Sequence, residues 1–409
     1  MWELSKIYLI VNGCEVGQLS TTIIQNFFIA NSNSITENPA DADVLIFYAC
    51  GLTKENEDDS KRIIKRLKSV MKPSGTLIVW GCLPVINPNS LKSLYEGPML
   101  GPKDYSFFEE MIERKTIPFE KVQTNPLVKR QTYIQPTSLL SKLESVAGLQ
   151  NKLNNLTNIL APTHARPYYI RVASGCTGNC TYCSEKLAWG RIESIAVKRI
   201  LWDFKRGLHL GYRNFFLVAE DLGAYGVDIG CTLPELLERM TGEYQELNYK
   251  LILNEINPIY VKQFYTRLEK VFESGKIGML GCQVESGSNR MLKLMGRHYT
   301  VEDWLKLMTD IHHKYPRINL STHLMVGFPT ESDYDFQATC SLLDRIPLDH
   351  IIIFKYSDRP RIPARNFSQK VSEEMKEKRY QQLLHKARSN IRRTKIKRFF
   401  SLLIGQQTI

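Results

Sequence analysis

Long hydrophobic runs are missing from this chain of 409 residues. No apolar stretch approaches the ~18 residues that a membrane-spanning helix needs, so no membrane association is expected. The first residues, MWELSKIYLIVNG, become polar too soon for a secretory signal peptide. Nine cysteines without such a signal indicate a reducing compartment and not a disulfide framework, so we expect the protein in the cytoplasm.

Acidic residues are fewer than basic ones. The chain has 54 Lys and Arg against 42 Asp and Glu, which gives a formal net charge of +12. Such an excess suits a polyanionic partner such as RNA, but charge alone is weak support because many enzymes are basic. The length predicts two or three domains with large cores.

A fourth metal ligand is missing beside three closely spaced cysteines. Cys176, Cys180 and Cys183 lie in the stretch YYIRVASGCTGNCTYCSEKLAWGR with the spacing C-x3-C-x2-C. Structural zinc sites usually take four ligands, and no further Cys or His follows here with suitable spacing. Three thiolates suit three irons of a cubane 4Fe–4S cluster and leave the fourth iron open to a small molecule. We therefore predict such a cluster, with zinc or chance spacing as the alternatives.

Residues 1–118 repeat one pattern three times. The apolar runs IYLIVNGC, DVLIFYAC and TLIVWGC end at Cys14, Cys50 and Cys82, and each is typical of a strand buried on both faces. Predicted helices lie between these runs, at residues 18–30 and 54–71. The alternation predicts a doubly wound parallel sheet, in which sites gather at the carboxyl ends of the strands. A single buried cysteine would be ordinary packing, whereas three at equivalent strand ends favour a second three-cysteine cluster.

Residues 166–365 alternate strands and helices in a way that predicts a partial (β/α)6 barrel. The predicted strands are residues 168–173, 214–220, 250–256, 277–284, 319–327 and 350–356. The predicted helices are residues 195–208, 232–242, 258–274, 289–295, 301–314 and 334–345. Cofactor contacts are expected near the carboxyl ends of the strands, and the candidates are Tyr182, Glu220, Glu285 and Ser286. Capping or solvation is the alternative role for the two carboxylates.

Two further segments complete the expected α/β organisation. Residues 119–165 read as a linker with a possible amphipathic helix, which would act as a spacer or contact substrate. Residues 366–409 read as a basic helical extension, either a solvated helix or a contact for RNA or an acidic peptide. The other three cysteines are most simply packing residues, namely Cys231, Cys282 and Cys340.

Taken together, these motifs resemble those of the radical S-adenosylmethionine (SAM) methylthiotransferases. Further blocks with the same resemblance are AEDLGAYG at 219–226, VESGSNRMLKLMGRHYT at 284–300, HLMVGFPTES at 323–332 and FKYSDRPRIPA at 354–364. The first block is most similar to the branch that acts on threonylcarbamoyladenosine in tRNA. Two departures stand out. Glu285 replaces the glutamine of the usual V-Q-S-G-S, and the helical stretch after Ala364 leaves no strands for the family's C-terminal TRAM barrel.

The resemblance implies two 4Fe–4S clusters and two equivalents of SAM. One cluster would be held by Cys14, Cys50 and Cys82, where one SAM methylates a sulfur on the open iron. The other would be held by the trio from Cys176 to Cys183, where a second SAM yields the 5′-deoxyadenosyl radical that removes a substrate hydrogen. The substrate radical then takes up the methylthio group. Both rims would face one cavity in a monomer, and an electron donor such as flavodoxin or ferredoxin is implied.

The substrate is the least determined feature of the sequence. The expected lack of a TRAM barrel slightly favours a ribosomally made peptide or protein side chain, as in RiPP modification. The AEDLGAYG block and the basic extension favour tRNA modification instead. Two other classes stay open, namely a radical SAM enzyme whose auxiliary cluster only passes electrons or anchors substrate, and a non-enzymatic iron–sulfur module.

Overall fold

The computed structural model describes residues 5–112, 117–122 and 167–405. Most of the predicted linker, including its possible helix, lies outside the described residues. The chain forms two compact units. The first comprises Met1–Gly51, Asn56–Ile170 and Ile200–Phe216, and the second comprises Leu52–Glu55, Arg171–Arg199 and Leu217–Ile409.

The first unit is built on a five-stranded parallel sheet. Its elements in chain order are β1 (Lys6–Asn12), α1 (Glu15–Ala30), β2 (Ser34–Ile35), β3 (Val44–Ala49), α2 (Lys54–Val70), β4 (Thr76–Trp80), α3 (Cys82–Ile86), α4 (Asn89–Lys92), β5 (Met99–Leu100) and α5 (Tyr105–Glu110). The strand order is β2-β1-β3-β4-β5, and every neighbouring pair is parallel. The chain therefore turns one way from β1 and the other way from β3, as the predicted doubly wound sheet requires.

Burial explains why these segments are strands. All six residues of β3, VLIFYA, are buried, because β3 is central and both of its faces are covered. The highly charged helix α2 turns only a narrow face inward, with Ile64 and Leu67 joining the core that also contains Phe47 and Val79. The continuous apolar runs and the amphipathic spacing of the sequence thus predicted the correct element types.

The second sheet has six strands in the order β13-β12-β11-β10-β9-β6. Its elements, with a small hairpin, are β6 (Tyr168–Arg171), β7 (Ala173–Ser174), α6 (Glu185–Trp189), β8 (Glu193–Ser194), α7 (Val197–His209), β9 (Asn214–Val218), α8 (Leu233–Gly242), β10 (Lys250–Ile256), α9 (Pro258–Gln263), α10 (Tyr265–Glu273), β11 (Ile277–Cys282), α11 (Asn289–Leu294), α12 (Val301–Lys314), β12 (Asn319–Val326), α13 (Asp333–Arg345) and β13 (His350–Lys355). Each strand is added beside its predecessor, which confirms the predicted α/β fold class.

Local differences from the prediction have local causes. The run expected as one strand over residues 168–173 divides at Val172, because Ala173 and Ser174 pair antiparallel with β8 and close a hairpin around the cysteine loop. The helix expected over residues 258–274 is broken at Phe264, which ends α9 and precedes α10.

The C-terminal helix α14 (Glu373–Gly405) confirms the expected helical extension. Asn390 anchors it, because its amide donates to the carbonyls of Leu343 and Ile346 at 2.5 and 2.8 Å and accepts from the Leu348 N–H. Arg379 fixes its other half through a buried 2.7 Å ion pair with Glu331. Across the part of the chain that the structure describes, no helix is long and apolar enough to cross a membrane.

Candidate functional site

The three N-terminal cysteines lie at one edge of the first sheet. Cys14 follows β1 and caps α1, Cys50 follows β3, and Cys82 opens α3 just after β4. The parallel registers pair Asn12 with Ala49 and Tyr48 with Trp80, so the three strands end together. Cys14 and Cys50 flank the point where the strand order reverses, which is where doubly wound sheets bind ligands.

A buried tyrosine connects these three cysteines. The Tyr48 hydroxyl lies 3.4 Å from the Cys82 sulfur. Burial raises the pKa of Tyr48 well above its usual value, and Cys82, Cys14 and Cys50 raise it further through their charges. All three thiols are therefore close to one phenol. Tyr48 is not among the residues predicted for the site, although its position two residues before Cys50 places both side chains on the same face of the extended chain.

The second trio lies in a loop held by backbone hydrogen bonds. The Cys176 N–H donates to the Gly190 carbonyl at 3.2 Å, and the Thr181 N–H donates to the Met295 carbonyl at 3.0 Å. The N–H of Gly178 donates to the Cys176 sulfur at 3.1 Å. These contacts orient the loop from α6 and α11, and they supply one hydrogen bond to a sulfur.

The surroundings of this trio are acidic, and its three cysteines are partly buried. Burial raises the pKa of Cys176 to about 12, and the nearby Asp221 carboxylate, 3.6 Å from the sulfur, adds to the effect. Burial likewise raises the pKa of Cys183 well above its usual value, with a further contribution from Glu185. Such thiols become thiolates only when a positive centre binds them, and bound metal ions do this outright. The donor set is therefore suited to a metal group and unsuited to a free nucleophile.

The arrangement also bears on which metal group fits. Within the described ranges, no three His, Cys, Asp or Glu side chains converge on one point as the ligands of a single ion would. The thiolates of a cubane each bind a different iron, so they need not converge. Each trio offers three thiolates, which match three irons of a cubane cluster, whereas structural zinc usually takes four ligands.

Two of the four residues predicted to contact the cofactor form hydrogen bonds within the protein. Glu220 accepts from Arg171 at 3.0 Å and from the Gly175 N–H at 2.7 Å, so it fixes the start of the cysteine loop. The Ser286 hydroxyl bonds with Thr339 at 3.2 Å and accepts from the Ser288 N–H.

The other two predicted contacts surround Arg297. Glu285 pairs with this guanidinium at 2.8 Å and has a left-handed backbone, with φ of 70°. Tyr182 packs against the apolar cluster that contains Met291 and Phe328, and burial raises its pKa well above the usual value. Arg297 also lies 3.5 Å from the Cys180 sulfur. Arg297 is not among the residues predicted for the site, although it is a basic residue within the VESGSNRMLKLMGRHYT block.

Several buried polar atoms of the second unit have no hydrogen-bond partner. They include the Ser184 Oγ, Asp221 Oδ1, Gln283 Oε1, Arg297 Nε and His323 Nε2 atoms. His323 lies 3.4 Å from Glu255, but the contact lacks hydrogen-bond geometry. Leaving such an atom unpaired costs about 1–3 kcal/mol, so a group of them calls for a ligand. Gln283 directly follows β11, His323 lies in β12, and Asp221 lies in the loop after β9. The charge of Arg297 acts on both Asp221 and His323.

Comparisons with known proteins cover both sheets. The radical SAM superfamily model matches residues 170–343, and the family model described as Uncharacterized protein family UPF0004 matches residues 6–99. A probable threonylcarbamoyladenosine tRNA methylthiotransferase of Pyrococcus horikoshii is 28% identical over 94% of this chain and 84% of its own. MtaB of Aquifex aeolicus, a threonylcarbamoyladenosine tRNA methylthiotransferase, is 28% identical over 90% of this chain and 84% of its own. RimO of Protochlamydia amoebophila, a ribosomal protein uS12 methylthiotransferase, is 24% identical over 99% of this chain and 80% of its own.

Solved structures support the fold alone, because their sequence identity is low. The methyltransferase TsrM from Kitasatospora setae superimposes with a TM-score of 0.59 at 11% identity, covering 88% of this chain and 76% of its own. The radical enzyme OxsB gives a TM-score of 0.54 at 14% identity, covering 96% of this chain and 56% of its own. The match to the radical SAM superfamily model over residues 170–343 implies a 4Fe–4S cluster and SAM. Since its two sheets match separate models and its relatives along nearly the whole length transfer methylthio groups, the chain belongs to the radical SAM methylthiotransferase family.

Proposed function

We propose that this enzyme adds a methylthio group to threonylcarbamoyladenosine in tRNA. The observation that carries the proposal is the similarity, at 28% identity over 94% of the chain, to an enzyme named for that substrate. A peptide is the slightly favoured substrate in the sequence-based prediction, and the comparisons favour the tRNA alternative over it. The AEDLGAYG block, which follows β9, supports the same choice, since it is most similar to the branch that acts on this nucleoside.

The trio Cys176, Cys180 and Cys183 would hold the cluster that binds SAM. When bound, this cluster supplies one electron to SAM. The protein's own contribution is to orient the sulfurs and exclude water. Gly178 and Arg297 donate hydrogen bonds to two of the sulfurs, and the hairpin of β7 and β8 closes the loop.

The unpaired atoms beside this trio would bind SAM. A free amino acid end carries an ammonium and a carboxylate, which need acceptors and donors respectively. The Asp221 and Gln283 oxygens can accept, and the Arg297 Nε–H can donate. Glu220 acts differently from the prediction in this proposal, because it would position Gly175 and not touch the cofactor.

The trio Cys14, Cys50 and Cys82 would hold the second cluster. Its position at the strand-order reversal of the first sheet supports this assignment. Ser60 holds the Cys50 carbonyl at 2.8 Å and also accepts from Asn12, so the turn after β3 is fixed. A flavodoxin or ferredoxin donor, a monomeric state and a cytoplasmic location remain predictions.

Anaerobic reconstitution followed by assay on two substrates tests the proposal. The full chain, loaded with iron and sulfide, is incubated with SAM, a reductant and tRNA that contains threonylcarbamoyladenosine. A product nucleoside heavier by one CH2S unit is expected, together with iron for two cubane clusters per chain. Replacing either cysteine trio with alanine should abolish the product and halve the iron.

The matched control replaces the other three cysteines, Cys231, Cys282 and Cys340, which should leave both measurements unchanged. Iron for one cluster in the unaltered chain would refute the two-cluster assignment.

A second substrate is supported by the similarity to the uS12 enzyme over 99% of this chain. A peptide that carries the modified region of uS12 is therefore assayed in parallel. Methylthiolation of the peptide and not of tRNA would reject the tRNA proposal and leave the reaction class intact. A product that only loses hydrogen would instead indicate an auxiliary cluster without a role in sulfur transfer.

A further inference from the structure

Tyr48 lies beside the cysteines of the first sheet, with its hydroxyl 3.4 Å from the Cys82 sulfur. We propose that Tyr48 is a positioning residue of the N-terminal cluster, whose ring supports the three cysteines and whose hydroxyl donates a hydrogen bond to the Cys82 thiolate. This inference rests on the proposed function, because it requires that Cys14, Cys50 and Cys82 hold a cluster.

Aromatic packing fixes the position of the Tyr48 ring. The side chain is 1% exposed. It packs edge-to-face on Trp80, with ring centroids 5.0 Å apart and planes at 88°. Trp80 in turn packs on Tyr105 and Phe108. A tyrosine held this way presents its hydroxyl at one defined place.

The turns that carry the cysteines leave room for this ring. A Cβ atom added at Gly17 would lie 2.5 Å from the Tyr48 Cε1 atom, closer than any real side-chain contact. At Gly13, just before Cys14, it would lie 3.5 Å from the same atom. At Gly81, just before Cys82, it would lie 3.2 Å from Cδ1, and that glycine also has φ of 115°. The turns that carry Cys14 and Cys82, together with helix α1, therefore pack directly against the Tyr48 ring.

The direction of the hydrogen bond follows from the chemistry of the cluster. A thiolate bound to iron has no proton, so it can only accept, and the phenol at 3.4 Å must donate. A donor to a ligand sulfur stabilises the more negative, reduced form of a cluster. Hydrogen bonds to the sulfurs are among the factors that set the reduction potential. Tyr48 should therefore raise the potential of this cluster and hold the Cys82 side chain in place.

The test isolates the N-terminal cluster. The full chain with Cys176, Cys180 and Cys183 changed to alanine is reconstituted anaerobically, and its cluster is titrated with reductant while its paramagnetic resonance signal is followed. Tyr48→Phe removes only the hydroxyl. We expect iron for one cluster to be retained and the midpoint potential to shift to more negative values.

Tyr95→Phe is the matched control. Tyr95 is a buried tyrosine of the same sheet whose hydroxyl donates to the Leu77 carbonyl and not to sulfur. Its loss should leave the potential unchanged. An unchanged potential in Tyr48→Phe, with iron retained, would overturn the inference and leave the proposed function standing. A background protein that binds no cluster would overturn both.

Discussion

Arg297 and Glu285 form an ion pair of 2.8 Å whose two side chains are only 7% and 8% exposed. Glu285 stands where the family usually has glutamine, so this pair is a feature of the chain's own sequence. The same guanidinium reaches the Cys180 sulfur, which connects the substitution to the cysteine loop. A buried charge without its partner is expensive, so each residue now depends on the other.

Removing one partner of this pair should lower the free energy of unfolding substantially. We expect Arg297→Gln to destabilise the protein by about 3–5 kcal/mol, because Glu285 would remain buried and unpaired. Glu285→Gln should cost less, since the amide oxygen can still accept from Arg297. Thermal unfolding of the protein without cofactors measures both.

The control for this pair is Arg267→Gln, which breaks a half-exposed pair with Glu238. Exposed ion pairs contribute about 0–1 kcal/mol to stability, so only a small shift of the unfolding temperature is expected. Equal shifts for Arg297→Gln and Arg267→Gln would contradict the buried-pair interpretation.

Gly17 provides a second test of the packing around Tyr48. Alanine is favoured over glycine inside a helix by about 0.5–1 kcal/mol. At Gly17 the added methyl meets the Tyr48 ring at 2.5 Å, so we expect Gly17→Ala to be destabilising and to lower the iron bound by the first unit. Unfolding midpoints and iron analysis measure the two effects.

Gly242→Ala is the matched substitution, at the last residue of α8, where an added Cβ meets nothing within 4 Å. This variant should be neutral or slightly stabilised. If both variants behaved alike, the contact between Gly17 and Tyr48 would not constrain the fold.

Asp221 should contribute directly to SAM affinity. Its Oδ1 atom is buried without a partner, and hydrogen bonds to charged groups are worth about 1.5–3 kcal/mol. We expect Asp221→Ala to weaken SAM binding by about tenfold or more while the iron content is kept. Equilibrium dialysis with the reconstituted protein measures this.

Asp228→Ala, in the same loop, serves as the comparison. Asp228 is exposed and accepts from the Ser194 N–H, so its loss should not change SAM affinity. Unaltered affinity in Asp221→Ala would remove this carboxylate from the SAM site.

The dependence of stability on pH should show the role of Asp335. Burial would raise its pKa, but hydrogen bonds from Arg290, Ser288 and Ser332 outweigh this and hold the pKa below its usual value. A carboxylate with a depressed pKa stabilises the fold above its unfolded pKa of about 3.9, and the contribution is lost as the pH falls further. We therefore expect Asp335→Asn to destabilise the protein at neutral pH and to have a smaller effect near pH 3.

Asp344→Asn is the control for Asp335, because Asp344 is half-exposed and bonds with Lys386 at the surface. Its effect on stability should be small at every pH. Urea unfolding at several pH values compares the two variants. If Asp335→Asn lowered the free energy of unfolding by the same amount at every pH, the depressed pKa of Asp335 would not be what stabilises the fold.

The cysteine motifs and the strands could be predicted because both depend on residues that lie close together in the sequence. A run such as VLIFYA needs cover on both faces wherever it is placed, and three thiols spaced C-x3-C-x2-C must lie on one loop. The ends of β1, β3 and β4 carry Cys14, Cys50 and Cys82, so parallel pairing alone predicted their common edge. The sequence alone thereby determined the α/β class and the two groups of candidate ligands.

Tertiary structure decided which polar side chains lie beside those groups. Glu220 was predicted as a cofactor contact, and the structure adds that its oxygens accept from Arg171 and Gly175, because a residue's position after a strand does not reveal which donors face it. Tyr48 and Arg297 gained their importance from neighbours 34 and 117 residues away in the chain. Periodicity and spacing report only on nearby residues, whereas contact with a distant sulfur depends on how the strands and loops pack.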